Sequence, residues 1–207
     1  GSLSGGPVEI VTGLEFRRER LNTRPDELTS LGQTIGGATY QGAEGSRRVF
    51  AGYAEVALPM AKGASYANEL QVNLAARISR YSDFGTSWTP RVTLRWAPLE
   101  RFVVRASGSH GFRAPSLTEL FSAEKFSFES FNDPCAAADN AGVLPGCSQQ
   151  SDPTLVQFLT VASGNPNLDA ERAKTVNYGF FLQPTDALTL TADYYRIRGR
   201  GVVEVNP

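Results

Sequence analysis

Histidine, methionine, cysteine and long apolar runs are all scarce in this 207-residue sequence, which has one His, one Met and two Cys. No segment approaches the roughly 18 consecutive apolar residues that a membrane-spanning helix needs, which excludes helical membrane insertion. The one histidine, His110, has no metal-ligand companions nearby and no nucleophile motif around it. Neither a metal site nor a Ser/His/Asp triad is therefore expected, and we expect His110 to be an ordinary strand-end residue.

Excess charge is also small, because 20 Lys and Arg against 21 Asp and Glu give a formal net charge of -1. No basic patch interleaves with aromatic residues, so nucleic acid is not an expected partner. The Gly-rich tract at 32–45 lacks the Lys-Ser/Thr ending of a phosphate loop. No spacing pairs the loop carboxylates as a glycosidase would need them, namely Glu119, Glu124, Glu129 and Asp133. We expect neither catalytic chemistry nor a cofactor.

The two cysteines, Cys135 and Cys147, lie in the polar segment DPCAAADNAGVLPGC. Their spacing is not C-x-x-C, and few other ligand types are nearby, so a local disulfide is favoured over a metal site. Such a disulfide would contribute roughly 3 kcal/mol by restricting the unfolded chain, and it would indicate an oxidising compartment. Two unpaired thiols in a cytosolic loop remain the alternative.

Alternation of apolar and polar residues is the strongest signal that is present. In RVTLRWAPLERFVVRAS, residues 91–107, Val92, Leu94 and Trp96 share one face, and the alternation resumes at Phe102 after the turn APLE. This period of two predicts a β-hairpin. It does not tell whether a protein core or lipid lies against the apolar face.

The same alternation predicts an all-β, antiparallel up-and-down meander of about seven long strands. Besides the hairpin, they are expected at 8–20, 49–60, 66–81, 173–183 and 188 to about 205. At ~3.3 Å per residue the strand at 66–81 would extend about 50 Å, far beyond the usual 5 to 6 residues of a soluble strand.

The predicted connections alternate between long and short. Long loops at about 20–48 and 111–170 and a medium connection, SDFGTS, contrast with the turns PMAKGAS, APLE and PTDA. If the strands run alternately up and down, every short connection lies at one end. This asymmetry is typical of transmembrane barrels with short periplasmic turns and long external loops. The architecture of a β-sandwich does not require it.

Aromatic residues on the apolar parity lie towards the ends of the strands. Tyr66, Trp96 and Phe102 are at the short-turn end, and Trp88 is at the other. Such positions match the aromatic girdles of membrane barrels. The apolar face is therefore expected to contact lipid. Arg91, Arg95 and Arg105, on the opposite face, are expected to line a water-filled lumen. The alternative is a soluble or secreted β-sandwich carbohydrate-binding module that uses Tyr and Trp rings as sugar platforms.

Two segments resemble TonB-dependent outer-membrane receptors. RASGSHGFRAPSLTELF, residues 105–121, is similar to a family strand that ends in Gly-aromatic-Arg-Ala-Pro and leads into a large external loop. GNPNLDAERAKTVNYGFFLQPTDALTLTADYYRIR, residues 164–198, is similar to the Asn-Pro-x-Leu-x-x-Glu segment and the hairpin after it. With RYSDFGTSWTPRVTLRWAPLERF the resemblance covers about 49–198. The tripeptide DPC, which ends at Cys135, resembles one branch of these receptors, in which the same loop contains a paired Cys.

The resemblance implies a barrel of about 22 strands filled by an N-terminal plug. Such a receptor, in the outer membrane of a Gram-negative bacterium, takes up a scarce ligand of the iron-siderophore, cobalamin or oligosaccharide class, with energy relayed by the TonB complex. This sequence departs from that whole, because the plug, the TonB-contacting segment and most of the barrel have no match in it. Seven strands are fewer than the eight of the smallest closed barrel. We expect residues 1–207 to be a partial barrel domain whose missing wall lies elsewhere in a longer protein.

Two groups of residues are candidate sites. Phe126, Phe128 and Phe131 lie among acidic residues in EKFSFESFNDPC. They are candidates for an aromatic lid over a ligand, although anchoring of the loop to the barrel rim is favoured because loop aromatics usually pack.

The second group is a set of arginines near the long-loop ends of the strands. They lie beyond the apolar stretches, at positions with the same parity as the apolar residues. They are Arg18, Arg20, Arg80, Arg196, Arg198 and Arg200. Because arginine suits bidentate phosphate contact, we hypothesise that they meet lipopolysaccharide phosphates of the outer leaflet. Solvated strand tops above the membrane are the alternative.

Overall fold

Strands dominate the computed structural model, which describes residues 1–34, 39–131 and 156–203. In chain order the elements are β1 (Ser2–Leu3), β2 (Gly6–Pro7), β3 (Glu9–Thr23), α1 (Glu27–Ser30), β4 (Thr39–Tyr40), β5 (Ala43–Ala64), β6 (Ala67–Tyr81), β7 (Gly85–Leu99), β8 (Phe102–Arg113), α2 (Leu117–Phe121), β9 (Lys125–Phe131), β10 (Val156–Ala162), β11 (Glu171–Thr185) and β12 (Leu188–Arg200). Within the described ranges, neither helix has the length and apolar character needed to cross a membrane.

The chain divides into two compact units. The first comprises Gly1–Arg20, Ser46–Ser116 and Asn167–Pro207, and the second comprises Leu21–Gly45 and Leu117–Pro166. The first unit contains most of a seven-stranded sheet with the order β12-β11-β8-β7-β6-β5-β3. Every pairing with a described register is antiparallel, so the predicted meander of about seven long strands is confirmed.

Connection lengths follow the predicted one-sided pattern. The hairpins β5–β6, β7–β8 and β11–β12 turn through residues 65–66, 100–101 and 186–187. At the opposite end the connections 24–42 and 114–170 are long, whereas 82–84, expected to be of medium length, has only three residues. Antiparallel strands alternate in direction, so the three short turns share one end of the sheet, which is called the short-turn end below.

Several strand ends differ from the sequence-based expectation, and the differences in β5 and β12 have a clear local cause. β5 is predicted to end at Met60 but continues to Ala64, because the register shift between Pro59 and Ala61 leaves Met60 as an extra, bulged residue and pairing resumes at Ala61. β12 ends at Arg200 rather than near Val205, because Gly201 takes a φ of +66° that leaves the extended region. Tyr66, expected as the first residue of the strand at 66–81, lies instead in the turn with a φ of +66°.

Register places apolar residues of neighbouring strands side by side. One row crosses six strands through Leu58, Val72, Leu94, Ala106, Tyr178 and Tyr194. The row beside it has Asn73, Thr93, Ser107 and Asn177, whose side chains point to the opposite face. The sheet therefore has one apolar face and one polar face.

The second unit contains secondary structure in both long connections, which the sequence pattern did not predict. β10, β9 and β4 form a three-stranded sheet in that order. Asp26 caps α1 by accepting hydrogen bonds from the hydroxyl and the backbone N–H of Thr29, at 2.7 and 3.0 Å. These two bonds hold the pKa of the Asp26 carboxyl below its ordinary value.

Candidate functional site

The polar face of the sheet carries arginines that are paired with carboxylates. A single row contains Gln71, Arg95, Arg105, Gly179 and Asp193 on successive strands β6, β7, β8, β11 and β12. Arg95 and Arg105 are direct neighbours, and like charges in that position repel. Arg95 Nε donates to Glu69 Oε1 at 3.0 Å, and Arg105 Nε donates to Asp193 Oδ1 at 2.8 Å. Each positive charge thus has its own counter-ion.

Gly179 makes the pair between Arg105 and Asp193 possible. It lies between them on β11, and a Cβ atom there would collide with Asp193 Oδ1 and come within 2.5 Å of the Ala192 carbonyl oxygen. Because Gly179 has no side chain, Arg105 reaches across a whole strand to Asp193. The glycine is required by the neighbouring atoms of β12 rather than by its backbone angles.

A second group of charges runs along β3. Arg17 donates from Nε to Glu19 at 2.7 Å and from Nη1 to Glu15 at 3.1 Å, and Arg77 of β6 donates to Glu15 at 2.7 Å. These side chains share the polar parity and are partly exposed. A face of paired charges can line a hydrated passage, and its exposed pairs each add little to stability.

Arg47 forms the buried centre of the polar face near the long-loop end. Its side chain is 3% exposed, its Nε donates to Asp83 Oδ2 at 2.7 Å, and its Nη2 donates to the Pro115 carbonyl oxygen. Its guanidinium carbon lies 5.6 Å from the ring centroids of both Tyr81 and Phe84. A buried arginine of this kind fixes the geometry of the segments that contact it.

The rings beside Arg47 form an aromatic cluster. Tyr81 and Phe84 stack with centroids 4.3 Å apart, and Phe112 contacts Tyr81 edge-on at 5.6 Å. Phe112 and Pro115 both belong to the segment 105–121 that carries the family resemblance. The structure therefore gives this segment a packing role that the sequence did not disclose.

The two resembling segments meet in the first unit. Arg113 Nη2 donates to Glu171 Oε1 at 2.6 Å, joining the end of β8 to the start of β11. Glu171 Oε1 also accepts the backbone N–H of Val203 at 2.8 Å. These bonds define where β11 begins after the long connection.

Within the second unit, the same segments meet through their backbones. The N–H groups of Gly164 and Asn165 donate to the carbonyl oxygens of Ser122 and Glu119, both at 2.8 Å. A Cβ at Gly164 would lie 2.7 Å from the Ser122 nitrogen and 2.8 Å from the Leu120 carbonyl group. Only glycine permits this close approach to the end of α2.

The apolar face is open rather than packed. Ile78, Trp88, Val92 and Tyr178 are about half exposed or more. A β-sandwich would cover this face with a second sheet, so the sandwich alternative is wrong for this chain. Trp96 and Tyr66 lie at the short-turn end, where the Trp96 indole N–H donates to the Tyr66 carbonyl oxygen at 2.9 Å.

The arginines singled out from the sequence are all exposed, on three different strands. Arg18 and Arg20 are on β3, Arg80 is on β6, and Arg196, Arg198 and Arg200 are on β12. The register sets Arg198 beside Lys174 and Arg200 beside Arg172. The two β11 cations, Arg172 and Lys174, were not predicted from the sequence, although both continue the alternation of Val176 and Tyr178.

The candidate phenylalanines belong to β9. Phe126 is in register with Val161, and Phe128 with Leu159. Phe128 is 65% exposed, whereas Phe126 is half-buried. The side chain of Phe131 and the proposed Cys135–Cys147 disulfide lie outside the described residues. Among the described residues, no three His, Cys, Asp or Glu side chains form a metal-binding group.

Comparison with solved structures found the same fold in siderophore receptors. The siderophore receptor PirA from Acinetobacter baumannii matches with a TM-score of 0.62 at 16% identity, over 94% of this chain and 24% of that one. PirA from Pseudomonas aeruginosa matches with a TM-score of 0.60 at 19% identity, over 92% of this chain and 28% of that one.

A mutant of the ferric enterobactin receptor PfeA from Pseudomonas aeruginosa, solved with enterobactin, matches with a TM-score of 0.61 at 19% identity, over 93% of this chain and 24% of that one. The chain thus spans about a quarter of the length of these receptors.

A comparison with curated proteins found no match. The family model described as TonB dependent receptor-like, beta-barrel, matches residues 1–207. The chain therefore belongs to the TonB-dependent receptor-like β-barrel family.

Proposed function

We propose that this chain forms part of the barrel wall of a receptor in the outer membrane of a Gram-negative bacterium, which takes up a scarce ligand with energy from the TonB complex. The observation that carries the proposal is the family match over residues 1–207. The receptor is a binding and transport protein rather than an enzyme. Contact with TonB is assigned to a segment outside this chain.

The two faces of the sheet support this assignment. On β6 the outward side chains are apolar from Leu70 to Ile78, which at ~3.4 Å per residue is about 27 Å along the strand. Membrane barrels present an apolar band about 25 Å tall to lipid. The opposite face presents Arg77, Arg95 and Arg105 with their carboxylates, as a hydrated lumen requires.

For the ligand we propose a ferric siderophore. Support comes from the fold shared with solved receptors that are described as siderophore and ferric enterobactin receptors. In the second unit, Phe128, Leu159 and Val161 expose an aromatic and aliphatic surface on paired strands. Such a surface suits stacking against the planar aromatic groups of a catecholate ligand.

The test is uptake by the full-length receptor. Expressed in a Gram-negative host that lacks its own siderophore receptors, it should restore uptake of radioactive iron from a ferric catecholate. The same cells without TonB should take up none. Radioactive cobalamin and a labelled maltooligosaccharide serve as the competing ligand classes. Iron uptake restored in a TonB-dependent way supports the proposal.

Two outcomes contradict different parts of it. If cobalamin or the oligosaccharide enters and no ferric siderophore of a broad panel does, the ligand class is wrong and the receptor function stands. If the protein fractionates with soluble proteins, the outer-membrane location is wrong. A Phe128→Ser/Leu159→Ser variant should weaken siderophore binding. A Val161→Thr variant should weaken it to a smaller extent.

A further inference from the structure

The chain passes between the two compact units four times, after Arg20, Gly45, Ser116 and Pro166. These four places are called the first to fourth crossings below. Three residues of the first unit lie beside them. Glu19 is the second residue before the first crossing, Arg47 is the second after the second crossing, and Pro115 is the second before the third crossing. The three residues are far apart in sequence and contact one another in the fold.

Arg47 makes both of these contacts with one guanidinium group. Its Nη2 donates to the Pro115 carbonyl oxygen, and its Nη1 lies 3.7 Å from Glu19 Oε2 in an ion pair. Glu19 is held from the other side by Arg17, whose Nε donates to it at 2.7 Å. Arginine suits this position because its N–H donors form a rigid planar fork, whereas lysine offers a compact point charge.

The surroundings of the guanidinium group hold it in one orientation. Its Nε donates to Asp83 at 2.7 Å, and the rings of Tyr81 and Phe84 lie beside it at 5.6 Å. On β5, Arg47 shares the polar parity with Val49, and both are buried. The side chain thus lost its rotamer freedom when the chain folded, and so did the backbone that it fixes.

The fourth crossing is joined to the same region indirectly. Glu171 is the fifth residue after it, and Arg113, two residues before Pro115, donates to Glu171 at 2.6 Å. On the first unit's side, the chain at each crossing is therefore held by a side-chain bond within that unit.

A buried ion pair is a poor choice where only stability is needed. The cost of removing both charges from water offsets most of their attraction, and apolar side chains of similar volume often stabilise as well or better. Directional bonds to Asp83, Pro115 and Glu19 instead specify one geometry. The contacts of Arg47 therefore point to a role in positioning.

We propose that Arg47 is a positioning residue for ligand binding, which holds three of the four crossings in one geometry and so pre-organises the second unit, where Phe128 and Leu159 expose their side chains. The conformational freedom of the crossings is then lost on folding rather than on binding, which raises affinity. The effect on affinity rests on the proposed uptake of a ferric siderophore. Pre-organisation itself is measured without a ligand.

The first test is hydrogen exchange with mass spectrometry on the ligand-free, full-length receptor in detergent. Arg47→Lys keeps a positive charge beside Asp83 and removes the planar fork. Peptides from residues 21–34 and 117–131 should exchange several-fold faster, whereas peptides from β11 and β12 should be unchanged. The matched control is Arg101→Lys, which alters an arginine that pairs with Asp186 at 2.7 Å at the short-turn end. It should leave exchange in the second unit unaltered.

A second variant separates positioning from stability. Arg47→Met/Asp83→Leu replaces the ion pair with apolar side chains and leaves no carboxylate of that pair unpaired. It should therefore cost less stability in urea unfolding than Arg47→Ala. It lacks the donors to Pro115 and Glu19, so exchange in residues 21–34 and 117–131 should still be faster than in the wild type.

The second test is titration of the same purified receptors with ferric enterobactin. Fixing the backbone of one residue costs about as much free energy as a ten-fold change in affinity, so releasing one residue should weaken binding roughly ten-fold. The loss should appear mainly as slower association, because the second unit must then be ordered during binding. Arg101→Lys should bind with wild-type affinity.

The outcomes are distinct. Faster exchange confined to the second unit, together with weaker binding in both Arg47 variants, supports the proposal. An equal rise of exchange in β11 and β12 overturns it, because Arg47 then only stabilises the sheet. Unchanged exchange overturns it as well, and so does unchanged affinity despite faster exchange. If the wild type binds no ferric enterobactin while exchange responds as expected, the proposed ligand is wrong and the pre-organisation by Arg47 is supported.

Discussion

Arg105 of β8 and Asp193 of β12 are joined by hydrogen bonds from Nε and Nη2 of the arginine across the intervening strand, over Gly179 of β11. The pair ties three strands together on the polar face. It also neutralises one of two adjacent arginines in the row, and the other, Arg95, has Glu69. The charges of the polar face are therefore organised in register across the sheet.

The first prediction concerns Gly179. Gly179→Ala places a methyl group against Asp193 and the Ala192 carbonyl oxygen, so the strands must shift or the ion pair must break. We expect a loss of roughly 1–3 kcal/mol in the free energy of unfolding. The matched control is Gly108→Ala on β8, where a Cβ meets nothing within 4 Å. Urea unfolding in lipid vesicles measures both, and equal stability of the two variants would contradict the role given to Gly179.

The second prediction concerns Arg47. Arg47→Ala removes a 3% exposed side chain and leaves Asp83 and the Pro115 carbonyl oxygen without their donor. Breaking a buried pair of this kind destabilises by about 3–5 kcal/mol. Its neighbour Arg48 is exposed and points to the other face, so Arg48→Ala should change stability by less than about 0.5 kcal/mol. Thermal unfolding followed by circular dichroism distinguishes the two, and a stable Arg47→Ala variant would show that the buried contacts are dispensable.

Strand content and the sidedness of the sheet were predictable because both depend on local alternation. Leu94 and Thr93 show opposite parity in the sequence, and the register confirms it by pairing each with residues of its own kind. The contact between Arg47 and Asp83 was not predictable. It depends on the turn at 82–84 and on the path of the chain after β8, which no periodicity encodes.

The β9–β10 hairpin was missed for a different reason. Phe126 and Phe128 alternate with Lys125, Ser127 and Glu129, so a short strand signal was present. Its partner β10 begins at Val156, and no local pattern in the polar segment between the two strands indicates that they pair. The site residues Arg172 and Lys174 were missed because the apolar stretch of β11 begins only at Val176, although the parity extends beyond it.

A third prediction tests the contact that links the two resembling segments. Glu171→Ala removes the acceptor of both Arg113 and the Val203 N–H. The Val203 amide should then exchange its hydrogen several-fold faster, because it loses its partner while β11 itself stays paired with β8 and β12. Glu171→Gln keeps an acceptor oxygen and should show intermediate exchange. Hydrogen exchange with mass spectrometry of a peptide containing Val203 gives the answer, and unaltered exchange in Glu171→Ala would rule the contact out.

The last prediction decides which solvent lies against each face. Leu94 is in the central apolar row, between Val72 and Ala106, and Thr93 is in the adjacent polar row, between Asn73 and Ser107. An arginine at the lipid-facing midplane of a barrel costs roughly 2–4 kcal/mol, whereas a lumenal arginine is hydrated. Leu94→Arg should therefore reduce the folded fraction in the outer membrane and the unfolding free energy in vesicles, and Thr93→Arg should leave both nearly unchanged. The two variants introduce the same residue at adjacent positions on opposite faces, so the cost of the added charge can be compared between the two faces. If Thr93→Arg were the more damaging change, the polar face would be the one in contact with lipid, and the assignment of lipid and lumen would be reversed.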